Sequence, residues 1–175
     1  FPSAFMLIAA MNPCPCGYRG DSNRDCQCTV PQVERYMSKI SGPLLDRIDI
    51  HLEVSAVPFG ELSARQAGTS STAMRQQVHV AREIQHNRFK KKSSTGNMYN
   101  ARMTSREIRH YCQIDSSSIE LLRSAVSNLG LSARAHDKVL RVARTIADLD
   151  ATETIECHHL SEAIQYRLLD RKLWT

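Results

Sequence analysis

Long apolar runs are missing from this chain. No stretch approaches the ~18 consecutive apolar residues that a membrane-spanning helix needs. No basic, apolar leader with a small-residue cleavage site opens it either, so nothing marks it for secretion. A soluble, cytoplasmic protein is the expectation. Internal repeats and low-complexity tracts are absent, which excludes a solenoid or a disordered tail as the organising plan. Aromatic residues are few, at 6%, but 42% of residues are hydrophobic, enough for a core. At 175 residues that core serves one domain or two small ones. There is also no G-x-x-x-x-G-K-[ST] loop to cradle a triphosphate. The chain starts at Phe1-Pro2 without an initiator Met and reads as the back part of a longer protein.

Charge is present, and it is unbalanced. Twenty-three Lys and Arg stand against eighteen Asp and Glu, a net charge of +5, with a pI near 9.0. This favours an anionic partner such as nucleic acid, although a plain basic surface gives the same total. Metal thiolates at four cysteines would remove about two of those charges.

Six cysteines in a secreted chain would suggest disulfides. Here four are clustered as Cys14-Pro-Cys16 and Cys26-Gln-Cys28, around the turn formers Gly17, Gly20, Asp21, Ser22 and Asn23. Four sulfurs on a loop this short can enclose a tetrahedral zinc ion at about 2.3 Å per bond, leaving no position for a catalytic water. The loop is too small for a core of its own, so metal would order it. Disulfide pairing and free thiols remain as alternatives, because C-x-C is less usual than C-x-x-C. Cys112 and Cys157 lie far off in helical segments and read as small apolar residues.

Two stretches flank the knuckle. Phe5–Ala10 is an apolar run ending at Asn12-Pro13, the pattern of a buried strand delivering a polar side chain to a sheet edge. Gly42-Pro43, two leucines and Asp46-Arg47 precede the alternating Ile48, Ile50, Leu52 and Val54, which reads as a second strand. Between them Thr29-x-x-Gln32 has capping-box spacing, with Val33, Tyr36 and Ile40 on one face of a helix. Residues 58–72 are small and polar and read as a linker. Beyond it the period is helical. Met74, Val78, Ala81, Ile84 and Phe89 form one face, ending in Lys90-Lys91-Lys92, a solvated helix end or a phosphate contact. Thr104 or Ser105 caps a short helix. Asp115 or Ser116 caps the next, with Ile119, Leu122, Val126 and Leu129 inward and Gly130 ending it. Ser132 opens a helix with Ala135, Val139, Val142 or Ala143, Ile146 and Leu149 inward, and with Arg141 and Arg144 expected at the surface or between subunits. A last helix runs from His158 and His159 to Leu168. Cys157-His158-His159 invites a metal reading, but three consecutive residues at a helix start point in different directions.

The segments AAMNPCPCG, SGPLLDRID and LSARAHDKVLRVARTIADL, together with the four cysteines, resemble the magnesium-chelatase-like AAA+ ATPases of the ComM/YifB type over nearly the whole chain. The resemblance implies roles that periodicity does not. Asn12 matches the sensor-1 position, which orients the attacking water; taken alone it is an Asn capping a turn. Arg47 matches the arginine finger that reaches a neighbouring subunit's nucleotide; taken alone it is a surface arginine paired with Asp46 or Asp49. Arg134 matches the sensor-2 arginine on the γ-phosphate of the subunit's own nucleotide; taken alone it is an exposed first-turn residue. An arginine fork suits charge spreading over a transferring phosphoryl group.

The implied whole is an ATP- and Mg²⁺-dependent ring, a hexamer, acting on DNA as a helicase or branch-migration motor in natural transformation and recombination. The phosphate loop and acidic Walker B strand are absent, so the chain by itself should be inactive. A chelatase-type motor inserting metal into a porphyrin, or a non-enzymatic zinc-stabilised module binding DNA or protein, are the alternatives. The implied architecture is mainly α with a small α/β part. Residues 1–57 form the C-terminal part of an AAA+ core, 58–72 the linker and 73–175 a helical lid. In the family's sheet the strands near 5–11 and 47–54 flank the missing phosphate-loop strand. Both would therefore have unpaired edges, and the front third should be rearranged, paired with another chain or dependent on the cysteine site.

Overall fold

A computed structural model describes residues 5–21, 23–54, 57, 60, 68–90, 99–129 and 132–167. The chain forms two compact units that do not follow chain order: Phe1–Gly42 with Glu53–Ala64, and Pro43–Leu52 with Arg65–Thr175. Among the described residues the regular structure is entirely helical. No helix among them is long and apolar enough to cross a membrane.

The first unit holds the cysteine loop and helix α1 (Val30–Met37). Its capping box forms as the spacing predicts, with Gln32 Oε1 accepting from the Thr29 N–H at 2.9 Å and Pro31 in the first turn. Val33 is buried, while Tyr36 and Ile40 are half-buried.

The strands expected near 5–11 and 47–54 are not formed. A strand needs a partner for its backbone N–H and C=O groups, which a run of suitable side chains does not by itself provide. Phe5, Met6 and Ile8 are left about four-fifths exposed, at 79%, 82% and 81%. In the second segment the residues before Ile48 instead turn into α2 (Gly42–Arg47), where Pro43 sits in the first turn with its φ already helical. Arg47 therefore stands at a helix C-terminus rather than at a strand start.

The second unit is a helical cluster made of that segment, α3 (Ser71–Phe89), a 3₁₀ turn (Asn100–Arg102), α4 (Ser105–Tyr111), α5 (Ser116–Leu129), α6 (Ala133–Leu149) and α7 (Cys157–Gln165). The caps expected at Thr104, Asp115 and Ser132 are present, and α3 starts at Ser71, inside the stretch expected as linker. Ser70 caps α3, Thr104 forms a capping box with Glu107, Asp115 accepts from the Ser118 N–H at 2.8 Å, and Ser132 caps α6. Most of the linker, Lys91–Gly96, Gly130 and Leu168 lie outside the described residues.

Helix α6 is central. Ala135, Val139, Ala143 and Ala147 are all fully buried, and their small side chains let Phe89, Ile108, Leu122 and Leu160 close around it. Cys112 lies in this core, as its apolar reading requires, and burial pushes its thiol up to about 11.

Three inward faces differ from expectation. On α3 the buried residues are Ala81, Gln85 and Phe89, while Met74 and Val78 project into solvent, because the second unit covers only the C-terminal half of the stripe. On α5 Ile119 is exposed and Ser118 takes the buried place. On α6 Arg144 is not at the surface; it is 2% exposed. Its Nε donates to Asp148 at 3.1 Å, and its two terminal nitrogens donate to the Glu153 and Thr152 carbonyls at 2.7 and 2.6 Å. Asp148, wholly buried, also accepts a two-pronged contact from Arg88 at 2.7 and 2.5 Å and a bond from Asn100 Nδ2 at 2.7 Å. One carboxylate thus ties α3, the 3₁₀ turn and α6 together.

Candidate functional site: the cysteine knuckle and two exposed arginines

The knuckle is built from two tight turns. Gly17 N–H donates to the Cys14 carbonyl at 3.0 Å and the Asp21 N–H to the Tyr18 carbonyl at 3.1 Å. Gly17 and Gly20 have φ of 85° and 84°, the left-handed region that glycine enters without a Cβ clash. Asp21 Oδ1 accepts from the Asn23 N–H at 2.7 Å, and Arg24 both donates to the Tyr18 hydroxyl at 2.7 Å and lies over its ring. These contacts hold Tyr18, Asp21, Asn23 and Arg24 together between the two C-x-C pairs.

The two pairs meet as a metal site would have them. Cys14 Sγ lies 3.3 Å from Cys16 Sγ and 3.6 Å from Cys26 Sγ, and Cys16 and Cys26 are 3.6 Å apart. All four sulfurs, Cys28 included, fall within 4.8 Å of one another. A tetrahedron of sulfurs at about 2.3 Å from zinc has edges of about 3.8 Å, so the donor set fits that ion with small adjustment. No disulfide links them; all four cysteines are free. Cys16 is held down to about 6, chiefly by the backbone N–H of Tyr18 and then by the Cys14 thiol. One sulfur is therefore biased toward the thiolate form that binds metal.

Asn12 is exposed and immediately precedes the knuckle; a Cβ on Gly17 would come within 3.7 Å of its side-chain amide. It belongs to the first unit, whereas Arg47 and Arg134 belong to the second. Arg47 is exposed, and its Nη1 donates to the Pro43 carbonyl at 2.7 Å, along α2. The ion pairs expected for it go elsewhere. Asp49 pairs with Lys138 at 3.0 Å, and Asp46 lies 3.7 Å from Arg167. Arg134 is exposed in the first turn of α6, where the helix N-terminus also favours an anion. The capping hydroxyl of that helix, Ser132 Oγ, donates to Asp46 Oδ1 at 3.2 Å. Asp46, next to Arg47, is thus in direct contact with Ser132, two residues before Arg134.

The histidine pair behaves otherwise. Asp150, His158 and His159 bring their donor atoms within 4.8 Å of one another, a cluster the sequence hid because Asp150 comes from the preceding loop. His159 Nδ1 accepts the Glu156 N–H at 2.9 Å, so its proton sits on Nε2, which faces Asp150 at 3.1 Å. That nitrogen has no lone pair to offer an ion, and Cys157 is not part of the group. His159 is a buried capping residue.

Two family models match the chain: magnesium chelatase, subunit ChlI C-terminal, over residues 68–167, and magnesium chelatase, subunit ChlI, over residues 1–62. The uncharacterized protein YifB of Escherichia coli K12 is 45% identical over 175 residues, covering 99% of this chain and 33% of that protein. The competence protein ComM of Haemophilus influenzae is 42% identical over 176 residues, 99% and 32% respectively. An uncharacterized Mycobacterium bovis protein is 34% identical over 167 residues, 95% and 32%. The chain spans about a third of the length of these relatives.

Proposed function

Because this chain belongs to the magnesium chelatase subunit ChlI family, we propose that it is part of an AAA+ ATPase whose ATP hydrolysis drives a DNA motor. The work is helicase or branch-migration activity in transformation and recombination, carried out by a ring, a hexamer. The competence name of the Haemophilus relative and the net charge of +5 support DNA as the substrate.

The observation that supports this reading is that Arg47 and Arg134 stand on the same unit. Both arginines at the motif positions are exposed. Ser132, two residues before Arg134, donates to Asp46, which precedes Arg47. In the proposed mechanism Arg134 holds the γ-phosphate bound by its own subunit. Arg47 enters the neighbouring subunit's site and stabilises charge on the transferring phosphoryl group. Asn12 orients the attacking water. Mg²⁺ and the phosphate cradle belong to the part of the protein outside this chain. Residues 1–57 are read as the end of the ATPase core and 73–175 as the lid, with 58–72 between them. Cys14, Cys16, Cys26 and Cys28 would hold zinc, which supplies a cross-link in place of a core rather than reactivity.

The test is ATP turnover by the full-length protein with and without branched DNA. Stimulation by DNA that disappears in Arg47→Ala is the expected result. Turnover indifferent to DNA would favour chelatase-type work instead. No turnover under either condition would leave a zinc-stabilised binding module.

A further inference from the structure

The guanidinium of Arg47 bonds the Pro43 carbonyl along its own helix, and the backbone beneath it is held from other elements. Lys138 Nζ donates to the Arg47 carbonyl at 2.5 Å and reaches Asp49 Oδ1 at 3.0 Å. Its side chain is only 13% exposed, so the ammonium is drawn in from solvent to make these contacts. Arg167, just past the end of α7, is 1% exposed. Its Nη1 donates to the Ile48 carbonyl, and its Nη2 lies 3.7 Å from Asp46 Oδ1. The His51 N–H donates to the Tyr166 carbonyl at 2.9 Å. Ser132 holds Asp46 from the start of α6.

Residues 46–51 are therefore fixed by α6 and by the end of α7, through carbonyls as well as carboxylates. Burying an arginine costs several kcal/mol of hydration unless its bonds are replaced. A lysine and an arginine withdrawn from water onto successive carbonyls, 47 and 48, define where the chain leaves α2. A carbonyl contact fixes backbone direction irrespective of the side chain it carries, and Arg47 is the residue whose direction is fixed.

We infer that Lys138 and Arg167 are positioning residues for Arg47: they hold the α2 C-terminus on the helical unit and aim its guanidinium outward. The inference rests on the proposed role of Arg47 in a neighbour's ATP site. It adds that α6 serves both arginines, carrying Arg134 in its first turn and, one turn later, the lysine that sets Arg47.

The test uses the full-length protein and compares Lys138→Met, Lys138→Arg, Arg47→Ala and the Lys138→Met/Arg47→Ala double variant in ATP turnover. Misplacing a catalytic group by about 1 Å costs on the order of 10²-fold, and a partly loosened segment less. Lys138→Met should lower kcat about tenfold with KM for ATP unchanged, and Lys138→Arg should recover part of the loss. The double variant should be no slower than Arg47→Ala, because a misaimed side chain that is absent cannot be misaimed further. A further tenfold loss in the double variant, or a Lys138→Met kcat equal to wild type, would overturn the inference. If Lys138→Met does not fold, Asp49→Asn releases the ammonium from an exposed partner and should give a smaller kcat loss of the same pattern; no loss there overturns it too. Arg47→Ala turning over like wild type would instead remove the proposed function of Arg47 itself.

Discussion

Replacing Asp148 should unfold the helical unit far more readily than any other single-atom change in it. The carboxylate is wholly buried and accepts two bonds from Arg88, one from Asn100 and one from Arg144. Asp148→Asn keeps the shape but removes the charge, and it turns one acceptor into a donor facing donors. Two guanidinium groups then remain drawn into the fold without their counter-ion. Breaking a buried pair in this way costs about 3–5 kcal/mol, against a total stability of roughly 5–15 kcal/mol for a domain. Urea unfolding followed by far-ultraviolet circular dichroism reads it directly. With a slope of about 2 kcal/mol/M the midpoint should fall by about 1.5–2.5 M. Arg88→Met should cost less, since Asp148 keeps Arg144 and Asn100. A midpoint shift below about 0.5 M in Asp148→Asn would refute the assignment of this carboxylate as the tie between α3, the 3₁₀ turn and α6.

Three further outcomes follow from single sites. The purified chain should carry one zinc per molecule by metal analysis; Cys14→Ser or Cys26→Ser should lose it, while Cys112→Ser and Cys157→Ser should keep it. Ala151 ends α6 with φ of 53°, a conformation that costs an L-residue about 1–2 kcal/mol. Ala151→Gly should therefore raise the melting temperature by a few degrees, after about 0.5–1 kcal/mol is returned to the unfolded chain's greater freedom. Asp115 is held below the usual carboxylate range, first by Ser118, whose backbone N–H donates at 2.8 Å, and then by the Ser117 hydroxyl at 2.9 Å. A carboxylate lowered on folding stabilises above its unfolded value and loses that contribution as pH falls through its folded one. The acid limb of the stability curve should therefore be shallower in Asp115→Asn.

Local signals were legible where one residue acts on its neighbours. Thr29 with Gln32, Thr104 and Ser132 all cap helices where the sequence places them, because a cap is decided within four residues. The four cysteines were legible as a group because two C-x-C pairs lie on one short, turn-rich loop. What escaped were features made by distant partners. Arg144 looks like any helix-surface arginine until Arg88 and Asn100 arrive beside Asp148. Lys138 and Arg167 carry no pattern that announces residues 46–51 as their target. The strand reading of 48–54 rested on a sound alternation, but alternation describes faces and cannot provide a ladder partner. Met74 and Val78 continue a correct helical stripe past the end of what covers it.

The central claim is that Arg47 and Arg134 of one subunit serve two different ATP sites. Mixing full-length Arg47→Ala and Arg134→Ala subunits, each inactive alone, tests it most directly. In a randomly mixed ring about a quarter of interfaces would combine an intact Arg134 with an intact Arg47 from the neighbour. Recovery of ATP turnover toward that fraction is the result the account predicts. Mixed rings as inactive as either parent would place both arginines on the same subunit's nucleotide and contradict it.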